Sequence, residues 1–170
     1  MDVSFEVLSG RHDRTSFRSG VEALDTWFRT RASQDQRRRV AQVFVALTAG
    51  EVVGFYSLSL FTLALENLPV ELSEKLPRYD AIPAALIGRL ARSEGARGTG
   101  LGDLLLADAV KRVLAASESI AAYAMVVDAK DERGLAFYQA HGFVSLPSRP
   151  RRLFLLTETA AAALRAAAAR

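Results

Sequence analysis

Four glycines lie within eight residues, at Gly95, Gly98, Gly100 and Gly102, directly before a segment rich in leucine and alanine. Glycine permits positive φ angles and lets a ligand approach the backbone closely, although ordering it costs entropy. The first turn of a helix leaves N–H groups unpaired and carries the positive end of the helix dipole. A glycine loop that opens a helix therefore predicts a binding site for an anion such as a phosphate.

The spacing of this loop separates three kinds of phosphate loop. A Walker A loop needs Lys followed by Ser or Thr after its last glycine, whereas Asp103 follows Gly102 here. A dinucleotide-binding loop needs G-x-G-x-x-G with an acidic residue about 20 positions later, and this loop reads G-x-G-x-G. The third pattern, R-x-x-G-x-G, is met by Arg97, Gly100 and Gly102.

A second candidate motif follows one predicted strand later, where Phe137 and Tyr138 begin the pattern F-Y-x-x-x-G-F. A phenol with an ordinary pKa of about 10 is protonated at neutral pH and can donate a hydrogen bond or a proton. The competing interpretation of Tyr138 is a half-buried aromatic residue on an amphipathic helix.

The elements that must hold these motifs alternate between helices and strands, which predicts an α/β sheet sandwiched by helices. Helices are expected at about 20–38, with a capping box from Ser19 to Glu22, at 101–117, and at 131–141, which Gly142 ends. Strands are expected at 40–47, 52–65, 84–92 and 121–129, with a closing pair in FVSLP and RRLFLLT. The segment 67–83 is expected to be mostly loop, and residues beyond about Leu164 are expected to fray.

The composition of the chain limits its number of domains, its cysteine chemistry and the metal sites that it can form. With 170 residues, half of them apolar, the chain is long enough for one domain with a sizeable core. It has no cysteine, which excludes disulfides and thiolate chemistry, and its two histidines make a histidine-rich metal site unexpected. We expect no signal segment and no membrane span, hence a cytoplasmic protein.

Arginine supplies 19 of the 22 basic residues, and its planar fork suits phosphate. The first arginine cluster comprises Arg29, Arg31, Arg37, Arg38 and Arg39. The second arginine cluster comprises Arg149, Arg151 and Arg152. Such clusters attract polyanions or form an ordinary solvated face, and coding bias toward arginine gives the same composition.

The R-x-x-G-x-G loop and the F-Y-x-x-x-G-F motif together resemble the GNAT acetyltransferase superfamily. This resemblance implies a mixed, mostly antiparallel central sheet flanked by helices, with acetyl-CoA as co-substrate and no metal. The implied cofactor contacts are the backbone of Leu90, Ala91 and Arg92 at the strand end, the loop residues Arg97, Gly98, Thr99, Gly100, Leu101, Gly102 and Asp103, and also Asp131 and Phe137. Tyr138 occupies the position of the general acid that protonates the departing thiolate. Asp131 stands where the superfamily often has Asn, and this departure affects whether the side chain at this position contacts the cofactor.

The resemblance extends from about Phe17 to Phe154, in the segments FRSGVEALDTWFRTRA, GFYSLS and IPAALIGRLARSEGARGTGLGDLLLADA. These segments are similar to the acetyltransferase toxins of bacterial type II toxin–antitoxin modules. That family implies acetylation of the α-amino group of aminoacyl-tRNA, a small DNA-binding antitoxin of the ribbon-helix-helix type, and a homodimer. The expected organisation is one domain over residues 1–157 and an Ala-rich helical tail over 158–170.

A tRNA substrate gives the arginines a use as phosphate contacts. We expect contributions from Arg37, Arg38, Arg39, Arg89 and Arg92, although Arg89 and Arg92 point to opposite faces of one strand. Glu94 is a possible base, or simply a solvated carboxylate. Two other functions stay open at this point: acetylation of a protein N-terminus or small amine, and a non-catalytic regulator that binds acyl-CoA or RNA.

Overall fold

The computed structural model describes residues 2–170, and its strands form one seven-stranded sheet with the order β1-β2-β3-β4-β5-β7-β6. The strands are β1 (Ser4–Val7), β2 (Gln42–Thr48), β3 (Glu51–Ala64), β4 (Ala81–Arg92), β5 (Ala124–Asp128), β6 (Val144–Leu146) and β7 (Arg149–Leu156). The helices are α1 (Glu22–Thr30), α2 (Ala32–Arg37), α3 (Val70–Ser73), α4 (Leu101–Ala116), α5 (Glu132–Ala140) and α6 (Thr157–Ala168). The pairs β1–β2, β2–β3, β5–β7 and β6–β7 are antiparallel. The predicted mixed fold with a mostly antiparallel sheet is therefore confirmed.

The chain divides into two compact units, of which the first runs to Ser59 and also includes Ile87–Lys111. Its core is an aromatic cluster between α1 and the sheet, in which Phe28 stacks on Phe55 at 4.1 Å between ring centroids. Phe17 meets both rings edge-on. Alternating side chains of β2, among them Val43 and Val45, complete this core because successive residues of a strand face opposite sides.

The second unit comprises Leu60–Leu86 and Arg112–Arg170. Its core gathers leucine, isoleucine and alanine side chains from β3 and β4 with Val126 of β5 and Phe154 of β7. Val126 lies opposite Phe154 in the antiparallel register of β5 and β7. The four residues of β5 that precede Asp128 are all buried, as its unbroken apolar sequence predicts.

Three details of the N-terminal region differ from the sequence-based expectation. The single helix over 20–38 is two helices, because the backbone leaves helical geometry at Arg31 and so brings Ala32 into the same core as Phe28. The capping box is wrong: no side chain caps α1, and the Ser19 hydroxyl donates to Asp25 instead. Strand β1 was not predicted, because its four residues carry too short a pattern.

The C-terminal segment also differs. Helix α6 continues to Ala168 instead of fraying beyond Leu164, since alanine has the highest helix propensity. Ala160 anchors this helix in a buried position. The assignment of residues 1–157 to one domain stays a prediction.

Candidate active site

The glycine loop opens α4 with two residues in the left-handed region, Gly98 at φ +78° and Gly100 at φ +83°. A Cβ atom added at either position would meet nothing within 4 Å. The glycines are therefore required by backbone conformation, and open space lies in front of them. The Thr99 hydroxyl donates to the Ala96 carbonyl at 2.6 Å, which closes the turn before the helix. The N-terminus of a 16-residue helix thus faces open space, as an anion site requires.

Two contacts from β3 fix α4 behind this loop. A Cβ atom added to Gly54 would lie 3.0 Å from Leu105 of α4 and 3.1 Å from the carbonyl oxygen of Ala91. Only glycine at this position therefore permits the observed packing of the helix. The buried hydroxyl of Tyr56, also on β3, donates to the carboxylate of Asp108 on α4.

The segment FRSGVEALDTWFRTRA contains the motif F-x-x-G-x-x-x-L-D-x-W, formed by Phe17, Gly20, Leu24, Asp25 and Trp27, and this motif supports the glycine loop from the N-terminal side. Asp25 is 2% exposed and accepts hydrogen bonds from the Ser19 N–H and hydroxyl groups, at 3.0 and 2.6 Å to Oδ1. Gly20 follows at φ +91°, and a Cβ atom there would lie 2.9 Å from Glu94 Oε1. The Glu94 N–H group donates to the Arg18 carbonyl at 2.8 Å. This motif therefore packs the chain against the start of the loop.

The residues expected to contact a cofactor occupy two regions. Leu90, Ala91 and Arg92 are the last residues of β4, and Arg97–Asp103 follow them in the first unit. Asp131 and Phe137 lie on the second unit, where Asp131 is the N-cap of α5 and accepts from the Gly134 N–H group at 2.8 Å. The carboxylate of Asp131 is thus already engaged in capping.

Tyr138 lies on α5 and is 8% exposed, with its ring edge-on to Phe143 at 5.8 Å between centroids. Burial, together with the negative charge of Asp128, raises the pKa of its phenol from 10 to about 12. The ordinary value assumed from sequence is therefore wrong for the folded protein. At neutral pH this phenol is a protonated hydrogen-bond donor.

Asp128, which contributes to that shift, is held by an arginine from the neighbouring strand. Arg152 of β7 lies opposite it in the sheet register and donates to both carboxylate oxygens, at 2.7 and 2.9 Å. The guanidinium of Arg152 also lies over the ring of Phe61 at 4.9 Å. Arg151 pairs with Glu132 at 3.3 Å. Two of the three arginines in the second arginine cluster are thus already paired with carboxylates.

The arginines expected to contact tRNA fall into two groups. Arg37, Arg38 and Arg39 are exposed at the end of α2 and make no side-chain hydrogen bond or ion pair within residues 2–170. Arg89, by contrast, stacks on the indole of Trp27 at 4.0 Å, and burial lowers its pKa. Arg92 is half-buried at the end of β4.

Sequence reasoning missed the residues that position the site rather than touch a ligand. These are the Tyr56–Asp108 pair, the close approach at Gly54, and the Trp27 indole, which donates to Asp35 at 2.9 Å. The segment GFYSLS held a signal, because a glycine inside a strand marks a close backbone approach.

Among residues 2–170 no group of three or more acidic or histidine side chains could hold a metal ion. None of the helices in this part of the chain is long and apolar enough to cross a membrane.

Comparison with known proteins agrees with this geometry. The model of the acetyltransferase (GNAT) domain matches residues 39–145. A protein of Mycobacterium tuberculosis named tRNA-acetylating toxin is 36% identical over 155 residues, which cover 91% of this chain and 92% of the relative.

Three solved structures extend the similarity to the whole fold. AtaT complexed with acetyl-methionyl-tRNAfMet is 26% identical, with a TM-score of 0.89 over 96% of this chain and 99% of that one. AtaTR bound with AcCoA is 27% identical, with a TM-score of 0.83 over 96% and 98% of the two chains. A mutant AtaT toxin bound to the C-terminus of the antitoxin AtaR is 25% identical, with a TM-score of 0.81 and the same coverage.

The family model spans more than half of the chain, and the similarity to the mycobacterial relative spans nearly all of it. Both fall on the segment that holds the glycine loop and Tyr138. The chain therefore belongs to the GNAT acetyltransferase family.

Proposed function

We propose that this protein transfers an acetyl group from acetyl-CoA to the α-amino group of aminoacyl-tRNA and thereby blocks translation. The observation that carries the proposal is the 36% identity, along 91% of the chain, to a relative named tRNA-acetylating toxin. The fold similarity to AtaT in complex with acetyl-methionyl-tRNAfMet supports the same substrate class.

The chain offers a suitable site for acetyl-CoA, which supplies the acetyl group as a thioester. The Arg97 and Thr99 N–H groups already donate to the Glu94 and Ala96 carbonyls. The proposed donors to the pyrophosphate are therefore the N–H groups of the loop glycines and of the first turn of α4, beside the open space at Gly98 and Gly100. The end of β4, at Leu90–Arg92, offers backbone groups to the pantetheine arm in the manner of a strand. Contacts of Asp131 and Phe137 with acetyl-CoA stay predictions. The carboxylate of Asp131 already caps α5.

Tyr138 is the proposed general acid, and its raised pKa refines that role. Complete transfer of a proton from a phenol of pKa about 12 to a thiolate whose thiol has a pKa of about 8.5 is uphill by about 5 kcal/mol. A hydrogen bond from the protonated phenol to the departing sulfur avoids most of that cost. We therefore assign Tyr138 the stabilisation of the leaving thiolate by hydrogen bonding, before any complete proton transfer.

The nucleophile needs little help from the protein. An α-amino group titrates at about 7.7–8.0 and lower beside an ester, so a reactive neutral fraction is present at neutral pH. Glu94 is exposed and packs over Gly20, which is a structural use of the carboxylate. The proposal therefore includes no dedicated base.

Five arginines are proposed to contact the phosphates of tRNA: Arg37, Arg38, Arg39, Arg89 and Arg92. The first three are exposed and carry uncompensated charge. Arg89 contributes less directly, because its guanidinium already stacks on Trp27. Charge reversal at these positions is expected to lower tRNA affinity at low salt; unchanged affinity would contradict this assignment.

The partners follow from the same family. We propose neutralisation by an antitoxin of the ribbon-helix-helix type, supported by the similarity to a mutant AtaT bound to the C-terminus of AtaR. A homodimer is the proposed oligomeric state. Because its substrate is charged tRNA, the proposed site of action is the cytoplasm.

Cell-free translation tests the proposal against its two alternatives. We expect protein synthesis to stop when the purified enzyme and acetyl-CoA are both present, and to continue when acetyl-CoA is omitted or Tyr138→Phe is used. A block that persists without acetyl-CoA would favour a non-catalytic RNA-binding regulator. Normal translation together with acetylation of free amines or peptides would favour a small-amine or N-terminal acetyltransferase.

A further inference from the structure

A cavity of about 360 Å³ lies where β5 ends, within the second unit of the chain. It is lined by the last residue of β5, the residue after it and the start of β7, namely Asp128, Ala129, Arg149, Pro150, Arg151 and Arg152. Helix α5 begins beside this cavity, because a Cβ atom added to Gly134 in its first turn would lie 3.8 Å from Ala129. The cavity is therefore adjacent to the helix that carries Tyr138.

Asp128 and Arg152 form an ion pair in which the carboxylate is the more accessible partner. The Arg152 side chain is 18% exposed, and its guanidinium lies over the ring of Phe61, whereas the Asp128 side chain is 46% exposed. In the neighbouring pair, by contrast, the side chains of Arg151 and Glu132 are both mostly exposed, at 57% and 80%. The Asp128–Arg152 pair thus differs from an ordinary surface ion pair, because its cation is largely covered while its carboxylate stays accessible.

The carboxylate of Asp128 retains unused hydrogen-bonding capacity. An ionised carboxylate offers about four lone-pair positions, and Arg152 takes one on each oxygen, at 2.7 and 2.9 Å. Within residues 2–170 no other group donates a hydrogen bond to it. Asp128 is therefore an acceptor that is oriented and partly neutralised, yet still able to bind an N–H donor.

This arrangement suits a neutral amine better than an ammonium ion. An unpaired carboxylate would favour the protonated form of a nearby amine, because opposite charges attract. Arg152 offsets that attraction, so the amine keeps the lone pair that it needs to attack a thioester. The charge of Asp128 also reaches Tyr138, where it contributes to the raised pKa of the phenol. The acceptor for an amine and the proposed donor to the leaving thiolate therefore lie near each other.

We infer that Asp128, held in place by Arg152, accepts a hydrogen bond from the attacking amino group and orients it for transfer, while Arg152 keeps that group unprotonated. The inference rests on the proposed function and assigns the residue that receives its nucleophile. The nitrogen lone pair forms the bond to the carbonyl carbon of the thioester, and the C–S bond breaks with its electron pair moving to sulfur. Tyr138 donates a hydrogen bond to that sulfur, and the surplus proton of the nitrogen passes to water.

The dependence of kcat on pH separates this role from a structural one, because kcat reports on groups that titrate in the enzyme–substrate complex. Acetylation of bulk aminoacylated tRNA is followed at saturating tRNA and acetyl-CoA between about pH 6 and about pH 9, with spontaneous deacylation subtracted. Tyr138, with a pKa of about 12, stays protonated throughout. The remaining charged groups around Asp128 are Arg149 and Arg151 of β7, with Lys130 and Glu132 beside Arg151. Arg151→Met is therefore the matched control, and thermal unfolding verifies that each variant folds.

The variants are expected to move the pH dependence in opposite directions. Arg152→Met leaves the charge of Asp128 uncompensated, so the rise of kcat with pH should move up by about one pH unit. Asp128→Asn leaves the charge of Arg152 uncompensated, so the rise should move down, and the weaker, uncharged acceptor should lower the plateau of kcat about tenfold. The double variant should regain the parental pH dependence but keep the low plateau. Arg152→Lys and Arg151→Met should keep the parental pH dependence, and KM for acetyl-CoA should be unchanged in all variants.

Shifts in the same direction for Arg152→Met and Asp128→Asn, or no shift in either, would overturn the inference. A parental plateau for Asp128→Asn would also overturn it, as would variants that raise only KM for tRNA, which would make the pair a contact to the RNA backbone. Lower thermal stability with parental pH dependence would show that the pair is only structural. Failure of the proposed function is a separate result: the parent acetylates free amines but not charged tRNA, and the same pH series then tests Asp128 with that amine.

Discussion

Tyr138 holds its proton more tightly in the folded protein than in the unfolded chain, because burial and the charge of Asp128 both oppose its ionised form. Its position was predictable from the F-Y-x-x-x-G-F pattern, but its pKa was not. The raised value depends on Asp128 at the end of β5, and no local sequence spacing indicates that partner. Arg152, which pairs with Asp128, lies 24 residues beyond it in sequence.

Replacing Tyr138 by phenylalanine is expected to lower kcat by about 10²–10⁴-fold, the usual contribution of a positioned acid. KM for acetyl-CoA should change little, because the phenol acts on the departing thiolate rather than on the pyrophosphate. Tyr123→Phe is the matched control, since Tyr123 is a half-buried tyrosine whose pKa is also raised by burial. Equal kcat values for parent and Tyr138→Phe in steady-state acetylation would contradict the role assigned to Tyr138.

The raised pKa of Tyr138 also predicts a pH dependence of stability. Below pH 10 the phenol is protonated in both states, so its contribution is fully present. As pH rises from 10 toward about 12, the unfolded chain ionises first, and up to about 2.7 kcal/mol of stability is lost. Urea unfolding between about pH 9 and about pH 11.5 should show a steeper decline for the parent than for Tyr138→Phe. Parallel declines would mean that the folded protein does not raise this pKa.

At the scale of elements, the glycine loop acts through the helix that it opens. Gly98 and Gly100 supply the left-handed backbone, while Gly54 and the Tyr56–Asp108 pair hold α4 in place behind them. The loop could be predicted because its spacing excludes the Walker A and dinucleotide-binding loops, whereas acetyl-CoA as its ligand followed from the resemblance to the GNAT superfamily. The elements that fasten α4 could not, since contacts between β3 and α4 join residues about 50 positions apart.

Gly100→Ala is expected to raise KM for acetyl-CoA about tenfold or more, because it forces a strained residue into the loop and places a methyl group in the open space before α4. Gly50→Ala is its control, since Gly50 has φ +82° and nothing within 4 Å of an added Cβ atom. Both variants should lose about 1 kcal/mol of stability. A KM raised equally by both variants would show that strain alone is responsible.

The motif F-x-x-G-x-x-x-L-D-x-W could be recognised from sequence, but its packing role could not be predicted. Phe17 and Trp27 belong to the segment that resembles the toxin family, and both lie in the aromatic core. Asp25 is buried and fastens the chain before α1 by accepting from the N–H and hydroxyl groups of Ser19. The Ser19 hydroxyl donates to the charged carboxylate of Asp25 and its oxygen accepts from the Val21 N–H group at 3.2 Å, so this serine shapes the loop before α1 and does not cap the helix.

At the scale of the whole molecule, the formal net charge of +3 understates how unevenly positive charge is distributed. In the first arginine cluster, Arg37, Arg38 and Arg39 have no carboxylate partner within residues 2–170. In the second, Arg151 and Arg152 are paired with Glu132 and Asp128. Sequence predicted both clusters, but only the structure shows which of them carries uncompensated charge.

Arg37→Ala and Arg151→Ala should therefore affect tRNA binding differently, although each lowers the net charge by one. Arg37→Ala is expected to weaken binding and reduce the salt slope by about one. Arg151→Ala should have a smaller effect, because Glu132 already screens that charge. Binding of deacylated tRNA followed by anisotropy at several salt concentrations provides the comparison; an equal loss for both variants would mean that net charge, not its distribution, governs binding.

The transfer of labelled acetyl from acetyl-CoA to bulk aminoacylated tRNA tests the central claim most directly. Deacylated tRNA and a panel of free amines serve as controls, with Tyr138→Phe as the impaired enzyme. We predict label only on charged tRNA, lost on mild alkaline deacylation and strongly reduced for Tyr138→Phe. Label on free amines or peptides, with none on charged tRNA, would contradict the proposed substrate and leave the fold and the acetyl-CoA site unchanged.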